Sequence, residues 1–365
     1  MTSAYPDCLG CFLPILIKPC FVPCTVIDLS VVVCTYNGEH RLPPLLDRLQ
    51  SQLTPSSLTW EVLIVDNNSH DHTAQCVATY QQQWLPPSSL RYTFEPRQGL
   101  AYARRRAMGH TTGELVAFLD DDTLPSLDWV AQAYKFGQHH PQAGAYGSAI
   151  AGHYESEPPE GFERIASCLA VIQRGNIPFQ YEPKRGILPA GAGMVIRRRA
   201  WLDCVPTEPA LSGVCGTSLR AKGEDVETLS HIRQGGWPIW HNPKMQLTHL
   251  IPATRLRPGY LLYLFQGIGV SRYPLRCLHY HPWQRPWMMS LHSINDLRKL
   301  LLHIFKTRQL WSLDIVTACE RTLLLYSCLS PLYGLMYCQR LERGFSLSIE
   351  KPPPAYSSSS SSSSS

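Results

Sequence analysis

Leu115-Val116-Ala117-Phe118-Leu119-Asp120-Asp121-Asp122 is the stretch whose reading decides the fold. A short unbroken apolar run reads as a strand buried on both faces. Three carboxylates at its end repel one another and lose hydration where a strand ends in a cleft, so they call for a cation or strong donors. Mg2+ or Mn2+ suits them, because both ions favour carboxylate oxygen and are usually shared with a substrate's phosphates. The bland alternative is a solvated acidic turn capping the next helix, with Thr123 and Pro125 as turn residues.

Upstream, the chain alternates strand and helix in the order of a parallel sheet. Leu29 to Cys34 is a β-branched run, Pro43 to Gln52 has helical periodicity with Leu45, Leu46 and Leu49 on one face, and Val62 to Val65 is a second strand. A helix near Asp71 to Gln83, a strand near Leu90 to Phe94 and a helix from Leu100 to Met108 complete the approach to the acids. Parallel strands deliver polar residues at their C-terminal edge, where ligands bind. The first strand ends at Thr35, Tyr36 and Asn37, and the second at Asp66, Asn67, Asn68 and Ser69, with Asp71 following. The third precedes Arg97, Gln98 and Gly99, and the fourth is the acidic triplet. All four ends point to one crevice. There an aromatic and an acid can stack on and hydrogen-bond a nucleobase, while an Arg and a metal hold a pyrophosphate. Taken singly, Asn67 to Asp71 is an Asx-turn and helix cap, and Tyr36 a rim aromatic.

No Gly-x-Gly-x-x-Gly follows the first strand and no Gly-x-x-x-x-Gly-Lys-Ser/Thr occurs, which argues against a dinucleotide oxidoreductase or a P-loop NTPase. The runs Val32 to Asn37, Leu63 to Ser69 and Phe118 to Asp122 resemble the successive signatures of family 2 glycosyltransferases. That resemblance implies a GT-A fold, three-layer α/β/α with a mostly parallel sheet, a nucleotide-sugar donor, hexosyl transfer and a metal bound through an Asp-x-Asp motif, here Asp120 and Asp122. Gly99, Leu100, Ala101, Ala103 and Arg104 are similar to the family's segment after the third strand. Leu188 to Met194 resembles the strand closing the acceptor side, and Gly223-Glu224-Asp225 the Glu-Asp catalytic motif. By this correspondence Asp225 is the general base, with Glu224 beside it. Thr35, Tyr36, Asn37, Asp66, Asn68, Arg97, Gly99, Arg104, Asp120 and Asp121 form the nucleotide-binding set. Arg105 stands where relatives often have Asn, which leaves the phosphate contact open between Arg97 and Arg104.

The chemistry agrees: an inverting transfer needs a carboxylate to take the acceptor hydroxyl's proton and a metal to stabilise the leaving diphosphate on the opposite side. The alternative is that Glu224, Asp225 and Glu227 are the acidic first turn of a helix continuing through Leu229 and Ile232. Trp237 to Pro243 and then Thr248-His249 read as another strand and turn. His249 is a further candidate metal or diphosphate ligand, and Arg255 a holder of the leaving phosphate. Glu157 to Glu160, Phe162 and Trp283 to Pro286 also resemble a cyanobacterial hormogonium-polysaccharide subgroup.

The 365 residues, 44% hydrophobic with a formal charge of +5, suit one large α/β domain with a C-terminal elaboration or two smaller domains. Arg104 to Arg106 and Arg197 to Arg199 are basic clusters that suit polyphosphate or an anionic membrane. Thirteen cysteines are many, yet most are scattered through apolar segments as reduced thiols would be, which points to the cytoplasm. Cys8, Cys11, Cys20 and Cys24 only superficially resemble a zinc site, because prolines interrupt them and no His is near.

Residues 1–27 read as a loosely attached leader, 28–256 as the catalytic domain, 257–345 as a helical extension and 346–365 as a disordered serine-rich tail. In the extension, Leu297, Leu300, Leu301 and Leu302 with Arg298, Lys299, Lys306 and Arg308 suit either a cap packed on the catalytic domain or the inner face of the plasma membrane. Thr322 to Tyr337 falls short of a membrane span. The expected partners are a nucleotide-sugar donor and a glycan or lipid-linked saccharide acceptor, with no nucleic acid. Two other classes compete: a catalytically silent nucleotide-binding scaffold, and a sugar nucleotidyltransferase, which should carry a Gly-rich loop where this chain has only Gly38.

Overall fold

The apolar runs flanking the acids pair as parallel strands. The computed structural model describes residues 27–182, 187–215, 222–307 and 314–342. Leu29–Thr35 forms β1, Leu42–Gln50 α1, Trp60–Asp66 β2, Thr73–Gln83 α2, Ser89–Phe94 β3, Leu100–His110 α3 and Leu115–Asp120 β4. Thr123–Pro125 forms β5, Trp129–His139 α4, Ala145–Tyr154 β6, Phe179–Gln180 β7, Met194–Arg197 β8, Arg198–Cys204 α5, Glu224–Gln234 α6 and Ile239–Ile251 β9. Three long helices follow: α7 (Pro258–Cys277), α8 (Arg285–Thr307) and α9 (Ile315–Glu342).

The strands make one sheet in the order β3-β2-β1-β4-β8-β6-β9-β5, with β7 beside β9. The run β3-β2-β1-β4 is parallel; β8 enters antiparallel between β4 and β6, and β6 is parallel to β9. Alternation along each strand sends side chains to two cores. Leu29, Val31 and Val33 pack with Leu45 and Leu49 of α1, Val77 of α2 and Trp129 and Phe136 of α4. Val32, Val65 and Phe118 face the other way, onto Ala103 and Ala107 of α3, Trp201 of α5 and Leu229 and Ile232 of α6. The result is the expected three-layer α/β/α arrangement of GT-A type, with a helical C-terminal region.

Register sets the site. Thr35 pairs with Asp66, Asp66 with Phe94 and Cys34 with Asp120, so the four parallel strands end level and release their polar residues onto one edge.

Two readings of the sequence need correction, and one strand went unread. Residues 188–193 are loop, and the strand begins only at Met194. The reading of a strand and a turn after Trp237 fails, because Ile239–Ile251 is one strand whose irregularity lies opposite Ser148/Ala149. The stretch Ala145–Tyr154 is a ten-residue strand that alternation did not reveal, because Gly147, Ser148 and Gly152 dilute its pattern.

The C-terminal helices share a third apolar cluster with the preceding chain: Phe162, Ile165, Leu169, Ile251 and Leu256 pack with Leu261, Leu264 and Phe265 of α7 and Val316 and Cys319 of α9. Arg276 of α7 grips the fully buried Asp296 of α8 through two hydrogen bonds of 2.6 and 3.0 Å. Among the described residues no helix is long and apolar enough to cross a membrane. Cys34, Cys168, Cys204, Cys277, Cys319 and Cys328 form no disulfide among the described residues. The leader up to residue 26 with its four cysteines, Arg308 and the serine tail lie outside the described residues.

Candidate active site

The loops after β1 and β2 are tied together by side chains clasping backbone. Asn37 and Asn68 stand at positive φ, 52° and 66°, the left-handed region that Asn tolerates better than most residues. The Asn37 amide donates to Ser69 Oγ at 2.9 Å, and the His70 amide to Asn37 Oδ1 at 2.9 Å. Gly38 and Glu39 donate to Thr73 and Asp71 on the other loop. Tyr36 is half-buried on this platform, edge-on to His70 with ring centroids 6.3 Å apart. Asp66, the expected reader of the base, is buried with both oxygens engaged: Oδ1 accepts from the Ser69 amide and Oδ2 from the Tyr92 hydroxyl, each at 2.8 Å. A base would therefore have to share Asp66 with the turn it holds.

Asn67 is a positioning residue that the sequence reading passed over as part of a turn. Its amide donates to the carbonyls of Glu95 and Arg97, and its Oδ1 accepts from the Gly99 amide at 2.7 Å. Gly99 sits at φ 140°, and a Cβ there would stand 2.6 Å from the Ser212 carbonyl, so the close approach of the 205–215 loop requires glycine. Arg97 stays largely exposed, bonded to Glu95 and stacked over Tyr102 at 4.5 Å, at the rim of the crevice.

The three acids do three different things. Asp121 accepts from Thr35 Oγ1 at 2.6 Å and takes both prongs of Arg41 at 2.9 Å, which locks the end of β4 to the loop after β1. Asp121 is thus spent inside the fold, and Arg41, unnoticed in the sequence, neutralises it. Asp122 turns toward β9, where register places Thr123 beside His249. Its Oδ2 accepts from Arg255 Nη1 at 2.7 Å and lies 3.5 Å from His249 Nε2, while its buried Oδ1 has no partner. Burial opposes its ionisation, but His249 and Arg255 overcome that and hold Asp122 well below the usual carboxylate range. Asp120 opens to the crevice; desolvation there, reinforced by the neighbouring Asp122 charge and opposed by Arg104, pushes it up to about 6.

A cation fits this corner. His249 Nδ1 lies 2.8 Å from the Leu169 carbonyl and donates to it, which turns Nε2 toward Asp122 Oδ2 and Arg255 Nη1. The unpartnered Asp122 Oδ1 is one donor that a divalent ion requires, with His249 Nε2 and Asp120 alongside. Arg255 Nη1, 3.2 Å from His249 Nε2, is the positive charge already present. Among the described residues, no three His, Cys, Asp or Glu side chains are gathered closely enough to hold a metal unaided. The substrate's own phosphates would have to supply the remaining ligands.

Across the crevice, Arg104 joins the two acid groups. Its guanidinium is only 3% exposed; Nη1 donates to Glu224 Oε1 at 3.0 Å, and Nη2 lies 3.9 Å from Asp120 Oδ1. Burial and the adjacent Asp225 charge raise Glu224 to about 7, against the pull of Arg104. Asp225 is the accessible member of the motif: Oδ1 accepts from the Val226 amide at 2.8 Å and Oδ2 from the Gly191 amide at 2.9 Å. A Cβ on Gly191 would meet Arg104 Nη2 at 2.5 Å and Asp225 Cβ at 3.1 Å, so glycine lets the 187–193 loop close over both. Glu227 accepts from the amides of Ala210 and Leu211, both at 2.8 Å, and anchors the loop that Gly99 touches.

Most of the two basic clusters is tied into the fold, while Arg199 stays exposed beside Asp203. Arg197 is buried, donating to the carbonyls of Gly137, His140 and Ala143, and Arg198 donates to the Met108 carbonyl. Arg105 donates to the Pro206 carbonyl and Arg106 to Thr93 Oγ1. A separate cleft of about 780 Å³, lined by Arg48, His153, Arg174 and Gln246, opens on the face of β9 opposite His249 and contains none of the acids.

Residues 30–204 match the family described as glycosyl transferase family 2, which covers β1 through α5. Over 272 residues the chain is 23% identical to the succinoglycan biosynthesis protein ExoM of Rhizobium meliloti, spanning 74% of this chain and 82% of that protein. Over 105 residues it is 34% identical to the dolichyl-phosphate beta-glucosyltransferase ALG5A of Trichomonas vaginalis; these are 27% of this chain and 32% of the relative, so the chain spans about a third of that relative's length. In structure it resembles the mannosyltransferase PcManGT of Pyrobaculum calidifontis, solved with GDP-Man and Mn2+, with a TM-score of 0.55. That likeness covers 84% of this chain and 87% of the other at 20% identity, and shows the shared fold.

Proposed function

We propose that this chain transfers a hexosyl group from a nucleoside-diphosphate sugar to the hydroxyl of a saccharide or lipid-linked saccharide, with inversion at the anomeric carbon. The observation that carries the reading is the pair of acid groups separated by one buried guanidinium: Asp120 and Asp122 on the strand-end side, Asp225 on the other, with Arg104 between them. The succinoglycan and dolichyl-phosphate relatives support a polysaccharide or lipid-linked acceptor. The motif run 157–162 and 283–286 favours a hormogonium-type polysaccharide.

Tyr36 offers a shelf for the base, Asn37 and Asn68 line its loops, and Arg97 stands at the rim within reach of ribose or phosphate. Asp122, His249 and Asp120 would hold Mg2+ or Mn2+, which supplies positive charge to a leaving diphosphate when bound. Arg255 offers the same corner a permanent cation. On the acceptor side, Asp225 accepts the proton of the acceptor hydroxyl as its oxygen bonds to the anomeric carbon; the bond to the diphosphate breaks, and the electron pair leaves on the diphosphate oxygen. The Gly191 and Val226 amides orient the Asp225 carboxylate. Glu224 is held by Arg104 and positions its neighbour rather than touching substrate.

A panel of nucleotide sugars assayed for transfer with Mn2+ or Mg2+, on the wild type and on Asp225→Asn, tests this. Asp225→Asn is expected to lower transfer by about 10²- to 10⁴-fold, the worth of a positioned general base, with donor affinity by calorimetry unchanged. Undiminished transfer by Asp225→Asn would sink the base assignment. A wild type that binds donor and never turns it over would favour the silent scaffold.

A further inference from the structure

The C-terminal helices are not all a cap. On α8 the inward face carries Met289, Asp296 and Leu300, all buried against the rest of the helical unit. The opposite face is apolar and open to solvent: Trp287, Leu291, Ile294, Leu301 and Phe305 recur at spacings of three to seven residues, and Trp283 precedes them in the turn before the helix. Trp283, Trp287 and Phe305 are 74%, 76% and 82% exposed, an arrangement that costs free energy in water. Leu300, read from the sequence as part of this surface, points inward instead.

Charge tells what covers this face. Arg285, Arg298, Lys299 and Lys306 are exposed along α8, and the one acid between residues 281 and 307 is Asp296, buried and paired with Arg276. Four cations flank an aromatic stripe with no exposed acid on the helix. A second copy would have to bring this patch against itself about a two-fold axis, four cations against four. Residues 1–26 and 343–365 carry one acid each, Asp7 and Glu350, and cannot balance the charge. We propose that α8 lies flat on an anionic phospholipid bilayer, with Trp283, Trp287 and Phe305 at the level of the headgroups and the Arg and Lys side chains reaching the phosphates. The proposal rests on the helix alone and stands whether or not the transfer reading holds.

Sedimentation of the full chain with vesicles of phosphatidylcholine alone, and of phosphatidylcholine mixed equally with phosphatidylglycerol, tests this. The wild type should bind the mixed vesicles preferentially, with a blue shift of tryptophan emission, and release as salt rises. The triple variant Arg298→Gln/Lys299→Gln/Lys306→Gln should lose about 100-fold in affinity for the mixed vesicles, near fivefold per cation. Trp287→Ser/Phe305→Ser should lose affinity on the order of 100-fold. Both variants should melt with the wild type, because the altered side chains are exposed. Equal binding to both vesicle types, or wild-type binding by either variant, would overturn the proposal. So would a wild-type dimer in light scattering that Trp287→Ser breaks while no vesicle is bound, which would assign the face to a second copy.

Discussion

Removing the guanidinium that joins the two acid groups gives the most stringent test of the site's construction. In Arg104→Met the side chain keeps its bulk, but Glu224, buried and 3.0 Å from Arg104 Nη1, loses its counter-charge. Breaking a buried pair by deleting one partner costs about 3–5 kcal/mol, because the remaining charge is stranded, against a total stability on the order of 5–15 kcal/mol. The cost depends on pH through Glu224, which is raised to about 7. At pH 8 the wild-type carboxylate is charged and paired with Arg104, so the variant loses most there. At pH 5.5 it is protonated, and the loss shrinks to that of a hydrogen bond, about 1–2 kcal/mol. Urea denaturation followed by circular dichroism, at both pH values, on the wild type, Arg104→Met, Glu224→Gln and the double variant, measures each term. The double variant removes the Glu224 charge with its partner and should recover at least about 2 kcal/mol of the single variant's loss at pH 8. An Arg104→Met penalty equal at both pH values, or strict additivity in the double variant, would refute the reasoning.

Glu224 alone predicts a slope. A carboxyl raised from 4.5 to about 7 favours the fold while protonated; that contribution is complete below pH 4.5, falls through the interval and is gone above 7, about 3 kcal/mol in all. Glu224→Gln should flatten the stability profile between pH 4.5 and 8, and an unchanged profile would show that another group titrates. Gly191→Ala places a methyl 2.5 Å from Arg104 Nη2 and should lower transfer by tenfold or more, on the order of 1.4 kcal/mol of barrier, with circular dichroism unaltered. Glu227→Ala frees the Ala210 and Leu211 amides, and hydrogen exchange at those two positions should rise by about tenfold or more while β1 stays protected.

The strands β1, β2 and β4 were legible because each is a run of apolar residues with a polar end, and parallel pairing forces such ends into one edge. Asp120, Asp122, His249 and Arg255 were readable as chemistry, and the structure draws them into one corner. What stayed hidden depends on partners remote in sequence. Nothing local distinguishes Asp121 from its neighbours; only the fold brings Arg41 to it across 80 residues. Nothing near Arg104 in sequence announces its partner Glu224, which lies 120 residues on. Asn67 read as a turn residue because its three hydrogen bonds reach the β3–α3 loop, which no sequence window contains. Gly147 and Gly152 hid β6 by interrupting the alternation that marks an ordinary strand.

The passage from β9 into α7 has a consequence for how this molecule can be divided. Within a dozen residues the chain supplies His249, then Ile251 and Leu256 to a core shared with α7 and α9, and between them Arg255, whose guanidinium neutralises Asp122. A cut at residue 256, where the catalytic and helical portions part in the sequence, runs through that core and beside that ion pair. The helical unit cannot be exchanged for a foreign one as a detachable module, because a graft at this joint would have to rebuild a hydrophobic core and the counter-charge of Asp122 together.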